Sequence, residues 1–158
     1  MQQKFRHYAN LDYLSTGLDD PWVMTHMDLM AIPLPDNHFH CILCYHVLEH
    51  ITDDRQAMRE LFRVLKPNGW AILQSPVDMA RETTFEDSRI TAPEDRRILF
   101  GQDDHLRVYG RDYIERLQEA GFSVTMDTFV RQLSDTSIER WGLMKEELLF
   151  ICKKPFTS

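Results

Sequence analysis

The stretch from Cys41 to Asp54 reads CILCYHVLEHITDD. It holds a C-x-x-C pair, Cys41 and Cys44, followed by His46, Glu49 and His50. Groups of these types could bind a metal, run thiol–disulfide chemistry, or line a ligand cleft where a strand ends. A zinc hydrolase of the H-E-x-x-H kind needs its glutamate directly after the first histidine. Here the order is His46-Val47-Leu48-Glu49-His50, so the glutamate is displaced. Zinc also takes three or four ligands, and no second cluster at reinforcing spacing supplies them. The spacing therefore speaks against a metal, and a metal-dependent hydrolase would rest on scattered histidines alone. A reactive C-x-x-C uses a helix N-terminus to lower a thiol pKa. Cys41 and Cys44 fall instead in an apolar strand-like run, where residues three apart point to opposite faces. They read as small buried apolar side chains. The cleft reading remains: Val47 to Thr52 forms a loop between strand and helix, and Glu49 and His50 either contact a ligand there or brace the turn. No Ser/His/Asp or Cys/His arrangement has supporting context.

The elements that must position these residues can be read from periodicity. Leu11 to Ser15 and Trp22 to Met27 suit short strands, joined by the loop TGLDDP. AIPLPDNHF, with two prolines and Asp36-Asn37, is a loop. Cys41 to Tyr45 is nearly continuous in apolar character, as expected of a strand buried on both faces. Thr52 is the expected N-cap of a helix, with Asp53 and Asp54 in its first turn against the dipole. Ala57, Met58, Leu61, Phe62 and Leu65 recur at helical spacing, and Lys66-Pro67-Asn68-Gly69 stops the helix. Trp70 to Gln74 is the next strand, ended by Ser75-Pro76. Val77 to Asp104 is polar and irregular, with a short helix expected over Pro93 to Phe100. A helix begins after Gly110-Arg111-Asp112 and closes at Gly121. Phe122 to Val130 and Glu147 to Cys152 read as strands, and Arg131 to Met144 as a polar, turn-like connection. Alternation of strand and helix predicts an α/β sheet, mostly parallel, with one antiparallel strand at the C-terminal edge. Ligands of such sheets bind beyond the carboxyl ends of the strands, which places the residues after Tyr45 and Gln74 on that rim.

Composition narrows the function. The 158 residues suit one domain over 1–158. A net charge of -7 argues against a nucleic-acid partner or an anionic membrane surface. No apolar run approaches the roughly 20 residues of a membrane span. The N-terminus, MQQKFRHYANLDYL, carries no apolar signal segment. Three cysteines, an odd and small number, fit a reduced, cytoplasmic setting.

The block PLPDNHFHCILCYHVLEHITDDRQAMRELFRVLKPNGWAILQSP resembles the second half of a class I S-adenosylmethionine-dependent methyltransferase, in its type 11 branch. The family pattern is a P-x-x-D-x-x-F-D loop, a strand, H-V-L-E-H, an amphipathic helix, R-V-L-K-P-G-G and a further strand. The likeness runs on through GFSV to the terminal strand pair. It implies a Rossmann-like sheet, S-adenosylmethionine as cofactor, and a small-molecule substrate. By position, Asp28 and Leu29 would lie near the adenine, Asp28 otherwise capping a loop. Tyr45 and His46 would line the methionine end of the cofactor and the substrate mouth, or else pack the rim. Glu49, His50, His105 and Arg107 would stand on the substrate side, the last two otherwise in a solvated loop. The resemblance also sets departures. The ten residues before Leu11 contain no glycine, so the family's first strand, helix and Gly-rich cofactor turn are expected to be missing. Gly17 stands where an acid should grip the ribose, His40 replaces the aspartate of F-D, and Asn68 replaces a glycine in P-G-G. Without its first strand the sheet would pair its second strand with its fourth, or present an edge that a second copy or a partner chain covers, or be a fragment. The functional expectation is a methyltransferase. The competing one is a non-catalytic binding or interaction module on the same scaffold, oligomeric through that edge.

Overall fold

The computed structural model describes residues 27–156 and the backbone of 13–16. In chain order the elements are β1 (Tyr13–Thr16), β2 (Phe39–Tyr45), α1 (Asp54–Val64), β3 (Leu65–Gln74), β4 (Phe85–Glu86), α2 (Pro93–Phe100), β5 (Arg107–Val108), α3 (Tyr113–Glu119), β6 (Ser123–Asp127), α4 (Asp135–Trp141) and β7 (Leu149–Lys153). A 3-10 turn at Leu48–His50 stands between β2 and α1. The main sheet runs β1-β2-β3-β7-β6, and β4 and β5 form a separate two-stranded ribbon. The strand expected at Trp22 to Met27 falls almost wholly outside the described residues.

Strands β1, β2 and β3 are parallel. Direct pairing of β1 with β2 is one of the arrangements expected of this sheet. Tyr45 lies opposite Gln74, so β2 and β3 end flush and hand His46 and Ser75 to the same rim. The antiparallel strand is β7, as expected, but it is not at the edge: it lies between β3 and β6. Burial explains the order. Phe150 and Cys152 of β7 are 2% and 0% exposed, whereas Ser123, Thr125 and Met126 of β6 face solvent. The more apolar strand takes the inner position, where both faces are covered.

Helix α1 forms as its periodicity predicts and buries Ala57, Met58, Leu61 and Val64 completely against the sheet. Each large apolar side chain so buried contributes about 1.5–3 kcal/mol. Its N-cap is Asp53, not Thr52: the Asp53 carboxylate accepts from the Gln56 amide at 2.9 Å, while the Thr52 hydroxyl contacts the Met30 sulfur. A carboxylate also answers the helix dipole, which a hydroxyl does not. Asn68 adopts φ 62, the left-handed backbone for which asparagine substitutes for glycine. Helix α2 has the bounds expected. Helix α4 was not expected: its polar sequence hides a Ser134 cap, which accepts from the Ser137 amide, and a closing Gly142 at φ 63. All three cysteines are buried thiols, as their strand positions imply.

Gly110 joins the ribbon to α3 at close range. A Cβ there would stand 2.6 Å from the Thr83 carbonyl carbon and 2.8 Å from its oxygen. The two segments are tied by the Thr84 amide and hydroxyl, both donating to Asp112 Oδ1 at 2.7 Å. Backbone cannot swing aside like a side-chain tip. Gly110→Ala is therefore expected to cost about 1–3 kcal/mol, the usual range for overpacking, measured by urea unfolding. An unchanged midpoint would show that the 82–84 segment yields freely.

Candidate functional site at the β2–β3 rim

His46 leaves β2 in the left-handed region at φ 52, its amide donating to the Gln74 carbonyl at 2.8 Å. That turn throws its imidazole outward, 55% exposed, into a cavity of about 510 Å³. Gln74, Ser75, Val77 and Asp78 line the cavity from the end of β3, and Met144, Glu146, Glu147 and Phe150 from the approach to β7. The size falls in the range of small-molecule sites, roughly 300–1,000 Å³. Gln74 donates through Nε2 to the Leu148 carbonyl at 2.9 Å, which leaves its buried Oε1 without a hydrogen-bond partner.

Glu49 is 1% exposed. Its Oε2 accepts from the Ser75 hydroxyl at 2.9 Å. Its Oε1 stands 3.4 Å from His46 Nδ1 and has no hydrogen-bond partner among the described residues. Glu49, His50 and His105 each offer a donor atom within 4.8 Å of the others. The two imidazoles meet edge to face at 4.7 Å. His105 is 55 positions beyond His50 in the chain, and it arrives because its neighbours are fastened to the turn. The Leu106 amide donates to the Glu49 carbonyl at 2.9 Å, and the Arg107 guanidinium donates to the carbonyls of Leu48, Ile51 and Thr52.

Behind that fastening lies a buried ionic network. Arg107 Nε donates to Glu86 at 2.9 Å, and Arg116 donates to Asp54 at 3.0 Å and to Glu86 at 2.9 Å. The Tyr109 hydroxyl donates to Asp54 at 2.9 Å. Burial pushes the Glu86 carboxyl up, but the bonds from Arg116 and Arg107 together outweigh it and hold it below the usual range. Burial, then the Asp54 carboxylate, pushes the Tyr109 phenol well above its usual value.

The expected site residues are thus divided. Asp28 is exposed and its carboxylate accepts from the Met30 amide at 2.8 Å, which caps its loop. Leu29 is 6% exposed and packs in the main core. Tyr45 is half-buried, its phenol raised by burial and then by Glu147. His46 reaches the cavity, and Glu49, His50 and His105 come together beside it. Arg107 is held apart from them. At 4% exposure with its guanidinium spent on Glu86 and three carbonyls, it positions the turn and does not face a substrate in the His46 cavity. One edge of it lines a second cavity of about 400 Å³ with Thr52, Glu86 and Arg96. His105 is also no solvated loop residue, being 5% exposed. Sequence reasoning placed Ser75 on the rim, as the residue after Gln74, but missed Gln74 and Glu147 as wall residues.

Comparison with known proteins fits this geometry. A family model described as a methyltransferase domain matches residues 2–73. The ubiquinone/menaquinone biosynthesis C-methyltransferase UbiE of Serratia proteamaculans is 51% identical over 39 residues, which is 25% of this chain and 16% of that enzyme. An S-adenosylmethionine-dependent methyltransferase from Mesorhizobium loti superposes with a TM-score of 0.54 at 18% identity, over 87% of this chain and 72% of that one. The cyclase SpnF superposes at 0.56 and 17% identity, over 85% of this chain and 57% of its own. The chain therefore spans a small part of UbiE and little more than half of SpnF. The fold is thus similar to that of known methyltransferases, as the block from Pro33 to Pro76 implied.

Proposed function

We propose that a chain with this methyltransferase fold uses S-adenosylmethionine as methyl donor and seats a small-molecule acceptor in the cavity at the β2–β3 rim. One observation carries the reading: the cavity opens at the carboxyl ends of two flush parallel strands, where ligands of such sheets bind. The wall suits a ligand with cationic or hydrogen-donating groups. Asp78, Glu146 and Glu147 line it, and Gln74 Oε1 is a buried acceptor awaiting a partner. S-adenosylmethionine supplies an electrophilic methyl on a cationic sulfur. The residues around it have then mainly to align the acceptor and exclude water, because orientation alone is worth about 7–11 kcal/mol of such a barrier. Val77, Met79, Leu148 and Phe150 supply the apolar surface for that. His46 is placed to take a proton from an acceptor, since its imidazole is in the cavity and its Nδ1 faces Glu49.

Calorimetric titration of the chain with S-adenosylhomocysteine is expected to give saturable one-to-one binding. Gln74→Leu, which removes the orphan acceptor, is expected to weaken acceptor methylation more than it weakens this titration. No heat at millimolar ligand overturns the donor assignment. Because SpnF is a cyclase on a similar fold, methyl transfer must be measured directly, with methyl-labelled donor. Binding without transfer to any small-molecule acceptor would favour the non-catalytic module.

A further inference from the structure

We propose that Glu49, His50 and His105 form a binding site for one divalent transition-metal ion, independent of the donor assignment. The spacing within the chain gave two of these groups and no third. The fold supplies the third by bolting the 103–108 segment to the 48–52 turn through Leu106 and Arg107.

The donor set is two imidazoles and one carboxylate, which suits zinc and related borderline ions. Each histidine has its Nδ1 beside an oxygen: His50 against Asp104 Oδ2 at 3.3 Å, and His105 against the Phe100 carbonyl at 3.1 Å. Such partners orient an imidazole and leave Nε2 as the ligating nitrogen, as outer groups do around metal-bound histidines. Glu49 gives the independent sign of a ligand. It is 1% exposed, one oxygen is held by Ser75, and the other has no hydrogen-bond partner among the described residues, with only the His46 Nδ1 facing it at 3.4 Å. A buried carboxylate oxygen left so costs free energy that a cation would return. The three donor atoms lie within 4.8 Å of one another, against ~3.3 Å around a tetrahedral zinc, so the donors must draw together by about 1.5 Å to hold an ion. Three protein ligands leave a position open. Ser75 and His46 both touch Glu49 and both line the cavity, so the ion would stand behind that wall, one side chain away from the cavity.

The test uses the full chain, stripped with a chelator and titrated with Zn²⁺ by calorimetry, and with Co²⁺ by visible absorption. One equivalent is expected to bind, with the intense visible bands of low-coordinate cobalt and a raised melting temperature. Glu49→Gln and His105→Gln, close in shape to the originals, are expected to lose at least ~10-fold in affinity and the metal-dependent rise in melting temperature. Asp104→Asn should cost less, and His38→Ala, a half-buried histidine just before β2 at the strand end away from the cluster, should change nothing. Each variant is first checked for a cooperative melt without metal. A variant that does not fold is replaced by His50→Gln, read in the same way. Failure of wild type to bind one equivalent overturns the proposal, as does binding that survives in the folded Glu49 and His105 or His50 variants. A failed S-adenosylhomocysteine titration leaves this result untouched, since the metal readout needs no methyl donor.

Discussion

Asp54→Ala is expected to lower folding stability by about 3–5 kcal/mol, seen as a lower urea midpoint at unchanged slope. Asp54 is 4% exposed and faces the Arg116 guanidinium at 3.0 Å, the Tyr109 hydroxyl at 2.9 Å and Arg107 Nε at 3.9 Å. Arg107 and Arg116 are themselves 4% and 6% exposed. Removing the carboxylate leaves two buried cations facing Glu86, whose side chain is 42% exposed and correspondingly screened, with Asp112 at 3.4 Å from Arg116 alone. Losing one member of a buried pair costs far more than the pair itself contributes, because the desolvated partner charge remains. Asp54 also opens α1, where an acid near the dipole contributes about 0.3–1 kcal/mol. Asp53→Ala separates the two effects: it removes the cap without touching the network, at a cost of about 0.5–2 kcal/mol. A loss below about 1 kcal/mol for Asp54→Ala would mean that Glu86, with Asp112 at 3.4 Å from Arg116 Nε, balances both guanidiniums. With domain stabilities near 5–15 kcal/mol, the expected loss is a large share of the total. It should also free the 103–108 segment, so Co²⁺ absorption at the Glu49–His50–His105 cluster should fall with it.

Phe150→Ala is expected to cost about 3–5 kcal/mol, the range for a phenylalanine removed from a packed core. Phe150 is 2% exposed and meets the Tyr113 ring edge to face at 5.0 Å. Its strand lies between β3 and β6, so it packs where α3 meets the sheet and also lines the rim cavity. The variant should therefore melt lower and alter small-molecule binding together. Phe129→Ala gives the contrast: that ring is 55% exposed, and surface changes usually stay within about 0.5 kcal/mol. A Phe150→Ala loss under about 1.5 kcal/mol would show that the rim collapses into the space left behind.

Much of this was legible in the sequence. The run Cys41 to Tyr45 is apolar without alternation, which requires a strand covered on both faces. The spacing of Ala57, Met58 and Leu61 requires a helix with one buried stripe, although Leu65, read as its continuation, opens β3 instead. These local periods reach the fold because burial is a property of a residue's place in a repeating element. Where polarity disguised an element, as in α4, only its Ser134 cap and Gly142 stop marked it. The antiparallel β7 was legible as a strand, but its inner position was not, since sheet order depends on which of two neighbouring strands buries more.

The functional stretch divides in the same way. From the sequence alone come a buried strand, a turn at a sheet rim, a capped helix and the core placement of Cys41 and Cys44, all set by near neighbours. Tertiary structure alone decided the rest. It set Arg107 in an ionic network away from the His46 cavity, and it brought His105 across 55 positions to Glu49 and His50. Spacing along a chain cannot report such a meeting, because the bonds that produce it run from Leu106 and Arg107 to backbone carbonyls, which every residue possesses.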